Sequence, residues 1–199
     1  LRGTGSSDFE VRDAFVPAER VHTFLGHTPT EPGLLYRMPP LSVFAWTVSG
    51  VPLGIARGAS DAVVSLAGNK ARLGAGGHLR DSELVQATVG RAETQHRAAR
   101  ALLAEAMTEL MDATEMGGER LIMARARLRT AAAHAAETAL RIVHMLAAEA
   151  GSAAIFESGR LERTVRDVQA AAKHIAMNPM SYGIGGRMLL GLDPGTTRF

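Results

Sequence analysis

The feature that most limits the fold of this chain is a series of long apolar stripes at helical spacing, which begins after Pro40. Apolar side chains recur every three or four residues, so each stripe forms one face of a helix. Many of these side chains are alanine, and small side chains allow helix axes to approach closely. Brief glycine-containing turns separate the stripes, which favours antiparallel neighbours. The sequence therefore predicts an all-α, up-and-down helical bundle.

Four main helices follow from the stripes and from the capping and glycine signals at their ends. After the fourth helix, Pro179 interrupts the pattern and a shorter segment runs through Met188 to Leu190. The predicted helices run from about Leu41 to Leu66, from Asp81 or Ser82 to the glycines Gly117 and Gly118, from about Leu121 to Ala150 before Gly151, and from about Leu161 to Ala176.

Residues 1–38 have a different pattern. Apolar and polar side chains alternate at Phe9, Val11 and Phe15, which predicts a strand with one buried face. A lone strand cannot pair its backbone, so we expect its partner strands upstream of Leu1. The prolines between residues 21 and 40 exclude a sustained helix there. The predicted domains are therefore the tail of a β-domain plus a linker in residues 1–38, and the helical bundle in residues 39–199.

Charge and cysteine content exclude several classes of function. The 22 Lys and Arg residues are spread along the chain and nearly balanced by 20 Asp and Glu, which disfavours nucleic-acid or anionic-membrane partners. No cysteine is present, so disulfides and thiolate metal sites are excluded, as suits a cytoplasmic protein. Every apolar run is shorter than the ~20 residues of a membrane span, and the first residues do not resemble a secretory signal.

Two patterns with chemical potential are weak. Glu93 and His96 form an E-x-x-H pair, but a di-iron bundle needs two such pairs, and His134 and Glu137 occur in the opposite order. An ordinary polar helix face is the better interpretation, and no metal site is predicted. The glycine-rich residues 74–77 lack the preceding strand of a phosphate-binding loop, so we interpret them as a connection.

A third pattern is the charged cluster on the fourth predicted helix. Arg163 and Asp167 are four positions apart and can pair along one face, with Arg166 beside them. His174 follows seven positions after Asp167, two turns along on nearly the same face. The spacing alone favours a salt-bridged surface or a subunit contact over a catalytic site.

Three blocks together give the chain a resemblance to the acyl-CoA dehydrogenase superfamily. They are similar to the end of that family's middle β-domain, to its first bundle helix with the flavin-contacting turn after it, and to its last helices. In chain order the blocks are residues 1–8 with Phe15-Val16-Pro17, Pro52-Leu53-Gly54 with residues 70–74, and residues 159–174 with Gly186-Arg187-Met188-Leu189-Leu190-Gly191.

The resemblance implies a flavin cofactor, FAD or FMN, held between a β-domain and the bundle and touched by a neighbouring subunit. We therefore expect a homo-oligomer, a dimer or a tetramer, and an enzyme of which this chain is the C-terminal half. The flavin-phosphate arginine of the family falls at Lys70, with Arg72 nearby. Lysine cannot reproduce the bidentate contact of arginine. Because most of the β-domain is absent, the chain alone is expected to bind flavin weakly and to be inactive.

The family's catalytic bases differ from the residues of this chain. Dehydrogenases of the family remove a proton with a glutamate whose two alternative positions correspond to Ile175 and Phe44. His174 instead fits the flavin-dependent monooxygenase branch, in which such a histidine deprotonates or orients a phenolic or heteroaromatic substrate beside the flavin. Imidazoles are suited to this work because they ordinarily titrate near neutral pH.

The predicted function is therefore flavin-dependent monooxygenation of a small aromatic or heteroaromatic molecule, with His174 as the catalytic residue and a flavin reductase as a partner. One alternative is an acyl-CoA dehydrogenase that acts on CH–CH groups. The other is a helical oligomerisation module without chemistry.

Overall fold

Six α-helices, with short 3₁₀ turns between them, form the computed structural model, which describes residues 7–23, 26, 28–71 and 76–199. The helices are α1 (Leu34–Arg37), α2 (Pro40–Asn69), α3 (Glu83–Met116), α4 (Gly118–Ala150), α5 (Arg160–Ala171) and α6 (Ser181–Leu189). The 3₁₀ turns are Ala18–Arg20, Leu79–Asp81, Gly151–Ala154 and Ile175–Met177.

Helix α4 lies at the centre of the bundle and packs against α2, α3, α5 and α6. A single residue, Gly117, separates α3 from α4, with φ of 69° and ψ of −161°. Glycine adopts this conformation readily, whereas a Cβ disfavours it. The abrupt turn brings α4 back along α3, and the predicted antiparallel all-α bundle is confirmed.

The core consists of two clusters along the bundle. The cluster that we call the turn-side core contains Leu110, Leu128 and, from the 3₁₀ turn after α5, Met177. The cluster that we call the α5-side core contains Ile142 and Leu146 of α4 together with residues of α2, α3 and α5. Both cores share α2, α3 and α4 but are completed by different C-terminal segments.

Alanine contributes to the packing of α2 against α4. Ala56 and Ala59 of α2 and Ala139 of α4 are each 0% exposed and belong to the α5-side core. Methyl groups at a helix contact keep the interaxial distance short. Small alanine side chains therefore allow a short distance between the axes of α2 and α4.

The predicted strand at residues 9–16 is not formed. Residues 7–16 have no regular secondary structure, and Phe9 and Phe15 are both 90% exposed. The described residues offer this segment no partner strand, and an extended segment without a partner has neither ladder hydrogen bonds nor a covered apolar face. The short helix α1 lies within the predicted linker.

None of the helices in the described residues combines the length and the apolarity that crossing a membrane requires.

Candidate functional site

His174 lies in a turn and not on a helix. Helix α5 ends at Ala171, five residues before the predicted end, and His174 has an extended backbone with φ of −65° and ψ of 134°. Its Nδ1 accepts the backbone N–H of Ala176 at 3.2 Å, which caps the 3₁₀ turn Ile175–Met177. The prediction that His174 continues the face of Asp167 is therefore wrong. Asp167 does pair with Arg163, at 3.3 Å between Oδ2 and Nε, on an exposed surface.

Phe44 of α2 meets the imidazole of His174 edge-on. The two ring centroids are 5.2 Å apart with an interplanar angle of 62°. His174 is partly exposed, Phe44 is 48% exposed, and the next residue, Ile175, is 75% exposed. Phe44 and Ile175 are the two positions at which the resemblance places a dehydrogenase glutamate. The fold thus brings Phe44 to the imidazole that directly precedes Ile175 in the chain.

The hydrogen bond to Ala176 determines the tautomer of neutral His174. A ring nitrogen that accepts an N–H has no proton of its own, so the neutral ring carries its proton on Nε2. Nε2–H is a hydrogen-bond donor, which is the group that a ring needs in order to orient a substrate oxygen.

Arg129 of α4 contacts the same turn. Its Nη2 donates to the carbonyl oxygen of Ile175 at 3.3 Å. The guanidinium is partly buried, and burial lowers the pKa of Arg129. Sequence reasoning missed this residue, because a contact between positions 129 and 175 arises only from the packing of the turn on α4.

Lys70 lies at the far end of α2 from Phe44. The two residues are 26 positions apart, which corresponds to roughly 39 Å of helix. Lys70 Nζ donates to the carbonyl of Ala150 at 2.9 Å and so caps the C-terminus of α4. Arg72, the other predicted flavin contact, lies outside the described residues. The structure therefore does not bring Lys70 and His174 together within one chain.

The residues of the E-x-x-H pattern have other partners. Glu93 pairs with Arg57 at 2.6 Å, and His96 Nε2 lies 3.1 Å from the carbonyl of Leu53. These residues line a cleft of 910 Å³ between α2 and α3, whose lining includes neither Phe44 nor His174. Across the described residues, no three potential metal-ligating side chains come together.

The family model for the C-terminal domain of acyl-CoA dehydrogenases matches residues 46–179. The chain belongs to this family. The matched region of this acyl-CoA dehydrogenase C-terminal domain includes Lys70, Arg129 and His174, while Phe44 lies two residues before it. The resemblance seen in the three sequence blocks is confirmed.

Individual relatives of this acyl-CoA dehydrogenase C-terminal domain are named as oxygenases. Indole-3-acetate monooxygenase of Pseudomonas putida is 31% identical over 98% of this chain and 50% of the relative. The oxygenase component of an FADH2-dependent resorcinol hydroxylase from a Rhizobium species is 31% identical over 98% of this chain and 51% of the relative. The solved structure of XiaF from Streptomyces sp., in complex with FADH2 and glycerol, matches with a TM-score of 0.84 at 25% identity, over 95% of this chain and 50% of XiaF. The chain thus spans about half the length of the relatives it matches.

Proposed function

We propose that this chain is the C-terminal bundle of a flavin-dependent monooxygenase that hydroxylates a small aromatic or heteroaromatic substrate. The observation that carries the proposal is the contact of His174 with Phe44, 5.2 Å between ring centroids. At this place a dehydrogenase of the family needs a carboxylate, and the chain has a phenyl ring at one position and the sec-butyl side chain of Ile175 at the other. The relatives that are named as monooxygenases and hydroxylases support the same assignment.

The two rings have complementary roles in this proposal. Phe44 offers a half-exposed aromatic edge and face against which a planar substrate packs. His174 donates from Nε2 to a substrate hydroxyl or ring-nitrogen acceptor and thereby fixes which substrate carbon is presented for hydroxylation. Reduced flavin, when bound, supplies the electrons that activate oxygen.

Lys70 fits a flavin phosphate in one respect. Its ammonium uses one N–H on Ala150 and keeps two donors for an anionic oxygen. The roughly 39 Å of helix between Phe44 and Lys70 exceeds the length of an extended flavin dinucleotide. A flavin beside His174 of one subunit would therefore reach Lys70 only on another subunit, which supports a homo-oligomer, either a dimer or a tetramer.

A separate flavin reductase completes the proposed system, because a relative is named as the oxygenase component of an FADH2-dependent enzyme. The absence of cysteine from this chain supports a cytoplasmic location for the proposed monooxygenase.

Three variants of His174 in the complete enzyme test the proposal. Supplied with reduced flavin, the wild type should hydroxylate resorcinol or indole-3-acetate in a probe panel and should not oxidise butanoyl-CoA. His174→Ala and His174→Asn should reduce oxygenation by roughly 10²-fold or more and raise peroxide release, with flavin binding unchanged. His174→Gln should retain more activity, because its amide N–H lies near the place of Nε2.

His174→Asn is the matched control for structure. Asparagine caps the turn as Nδ1 does but offers no group at the position of Nε2. Wild-type turnover in folded His174→Asn, or oxidation of butanoyl-CoA without oxygenation of any aromatic probe, would contradict the proposal.

A further inference from the structure

Three arginines alternate along α4, at positions 125, 127 and 129, and each has a different environment. Arg127 is exposed and pairs with Glu109 at 3.0 Å. Arg125 donates to the backbone carbonyls of Thr197 and Phe199, with its guanidinium 4.5 Å from the centre of the Phe199 ring. Arg129 instead reaches the turn that carries His174.

The hydrogen-bond donors of Arg129 are only partly used. Its Nε is buried without a hydrogen-bond partner, and no carboxylate within the described parts of the chain lies within 4.0 Å of the guanidinium. Burial of a cation without a carboxylate is unfavourable, as the lowered pKa of Arg129 also indicates. The hydrogen bond that the guanidinium does make runs from Nη2 to the carbonyl oxygen of Ile175.

The carbonyl of Ile175 lies in the middle of the turn that holds His174. Downstream, Met177 is 2% exposed and anchors the turn in the turn-side core. Upstream, the His174 ring contacts Phe44 and caps the N–H of Ala176. Between these two anchors, Ile175 O accepts from Arg129 at 3.3 Å and from the N–H of Asn178 at 3.2 Å. The Arg129 hydrogen bond thus adds a polar link between the turn and α4 to the apolar packing of the buried Met177.

We propose that Arg129 is a positioning residue, which holds the His174 turn against α4 so that the imidazole keeps its orientation toward Phe44. The catalytic consequence rests on the proposed monooxygenase function. The structural consequence, a turn held partly by the Arg129 guanidinium, is independent of that function. The two consequences can therefore fail separately.

The test compares Arg129→Met with Arg127→Met in the complete enzyme. Both changes remove a guanidinium from the same helix two residues apart, but Arg127 points to a surface pair with Glu109. Hydrogen exchange followed by mass spectrometry should show residues 172–180 exchanging about 10-fold faster in Arg129→Met and unchanged in Arg127→Met, because only the first variant frees the middle of the turn.

The same two variants distinguish positioning from general structural support. With reduced flavin and the aromatic probe, Arg129→Met should lower product formed per oxygen consumed by about 10-fold and raise peroxide release, with little change in KM. Arg129→Lys, which retains the charge and one donor, should recover part of this coupling. If Arg129→Met does not fold, Arg129→Gln takes its place with the same expectations, because the shorter amide does not reach Ile175.

Unchanged exchange at residues 172–180 would overturn the proposal. Faster exchange with wild-type coupling would show a merely structural contact and would overturn it as well, as would a lysine variant no better than the methionine one. If no variant and no wild type oxygenates any probe, the monooxygenase assignment fails, while the exchange comparison still decides whether Arg129 holds the turn.

Discussion

The turn-side core and the α5-side core use the same three long helices, yet their edges differ. The α5-side core is completed by a regular helix, with Leu161 and Val168 of α5 buried against α4. The turn-side core is completed by a 3₁₀ turn, which packs against α2 and α4 and whose Met177 belongs to this core. A helix that covers a core satisfies its own backbone, whereas a turn leaves carbonyls that need partners from elsewhere.

This difference indicates where chemistry can be located in a helical bundle. Around the α5-side core, side chains are arranged for packing. At the edge of the turn-side core, an imidazole, a partly buried guanidinium and an exposed phenyl ring meet around one short segment. The candidate site therefore occurs where helix packing gives way to a turn.

The largest expected effect comes from cavities in the two cores. Leu128 and Leu146 are each 0% exposed, in the turn-side and α5-side core respectively. Replacement of either leucine by alanine should reduce the free energy of unfolding by about 2–5 kcal/mol in urea titrations. Only Leu128→Ala should also speed hydrogen exchange at residues 172–180 beyond its effect on global stability. Equal local effects of the two variants would break the distinction between the cores.

A smaller effect is expected at the turn between α3 and α4, which flanks the turn-side core. Gly117→Ala should destabilise by about 1–3 kcal/mol, because φ of 69° with ψ of −161° is strained for alanine. Gly90 is an exposed helical glycine with no atom near an added Cβ, so Gly90→Ala should stabilise by about 0.5–1 kcal/mol. Thermal unfolding of the two variants provides the measurement. Stabilisation by Gly117→Ala would contradict the backbone geometry of the turn.

The smallest expected effect is a titration that reports the docking of α6 on α4. Burial and then a 3.0 Å hydrogen bond to Glu137 raise the pKa of Tyr182 from 10.0 to about 12. Because the folded state holds this proton more tightly, the associated stability is present below pH 10 and is lost as the pH rises toward 12. Tyr36→Phe leaves Tyr182 as the single tyrosine, so tyrosinate absorbance gives its midpoint directly.

Glu137→Gln is the control for that titration. It removes the carboxylate that accepts from the Tyr182 hydroxyl, and the midpoint should move down, toward the ordinary value. An unchanged midpoint would mean that burial alone accounts for the raised pKa.

The long helices could be predicted because their apolar periodicity continues over many turns. The first predicted helix, Leu41 to Leu66, differs from α2 by one residue at its start and three at its end. The glycine at 117 was a reliable signal, since few other residues adopt its conformation. Fold class therefore followed from local pattern.

The end of α5 could not be predicted in the same way. Apolar spacing continues through Ala172 and Ile175, so the sequence pattern favours a helix to Ala176. In the structure the bonds tighten after Ala171, with Lys173 and His174 donating to carbonyls three residues back. His174 then caps a new turn with its own ring nitrogen. Apolar periodicity does not predict such a cap.

The site was predicted only in part. His174 was identified through the family resemblance and not by spacing, and its catalytic role stays a prediction. Arg129 carried no local signal, because the alternating arginines at 125, 127 and 129 differ only in the segments that pack beside them. Contacts across 46 residues depend on the assembled bundle.

The alanine contact between α2 and α4 has a consequence for the tolerance of this site to distant substitutions. Phe44 is carried by α2, and the turn that holds His174 packs against both α2 and α4, so the separation of the two rings depends on the spacing of those helices. A larger residue in place of Ala56, Ala59 or Ala139 would push the helices apart, since fully buried methyl groups have no free space beside them. Larger side chains at these alanines would then be poorly tolerated, although the alanines lie far from any substrate. Adding one or two carbon atoms there would change the distance between the rings of Phe44 and His174.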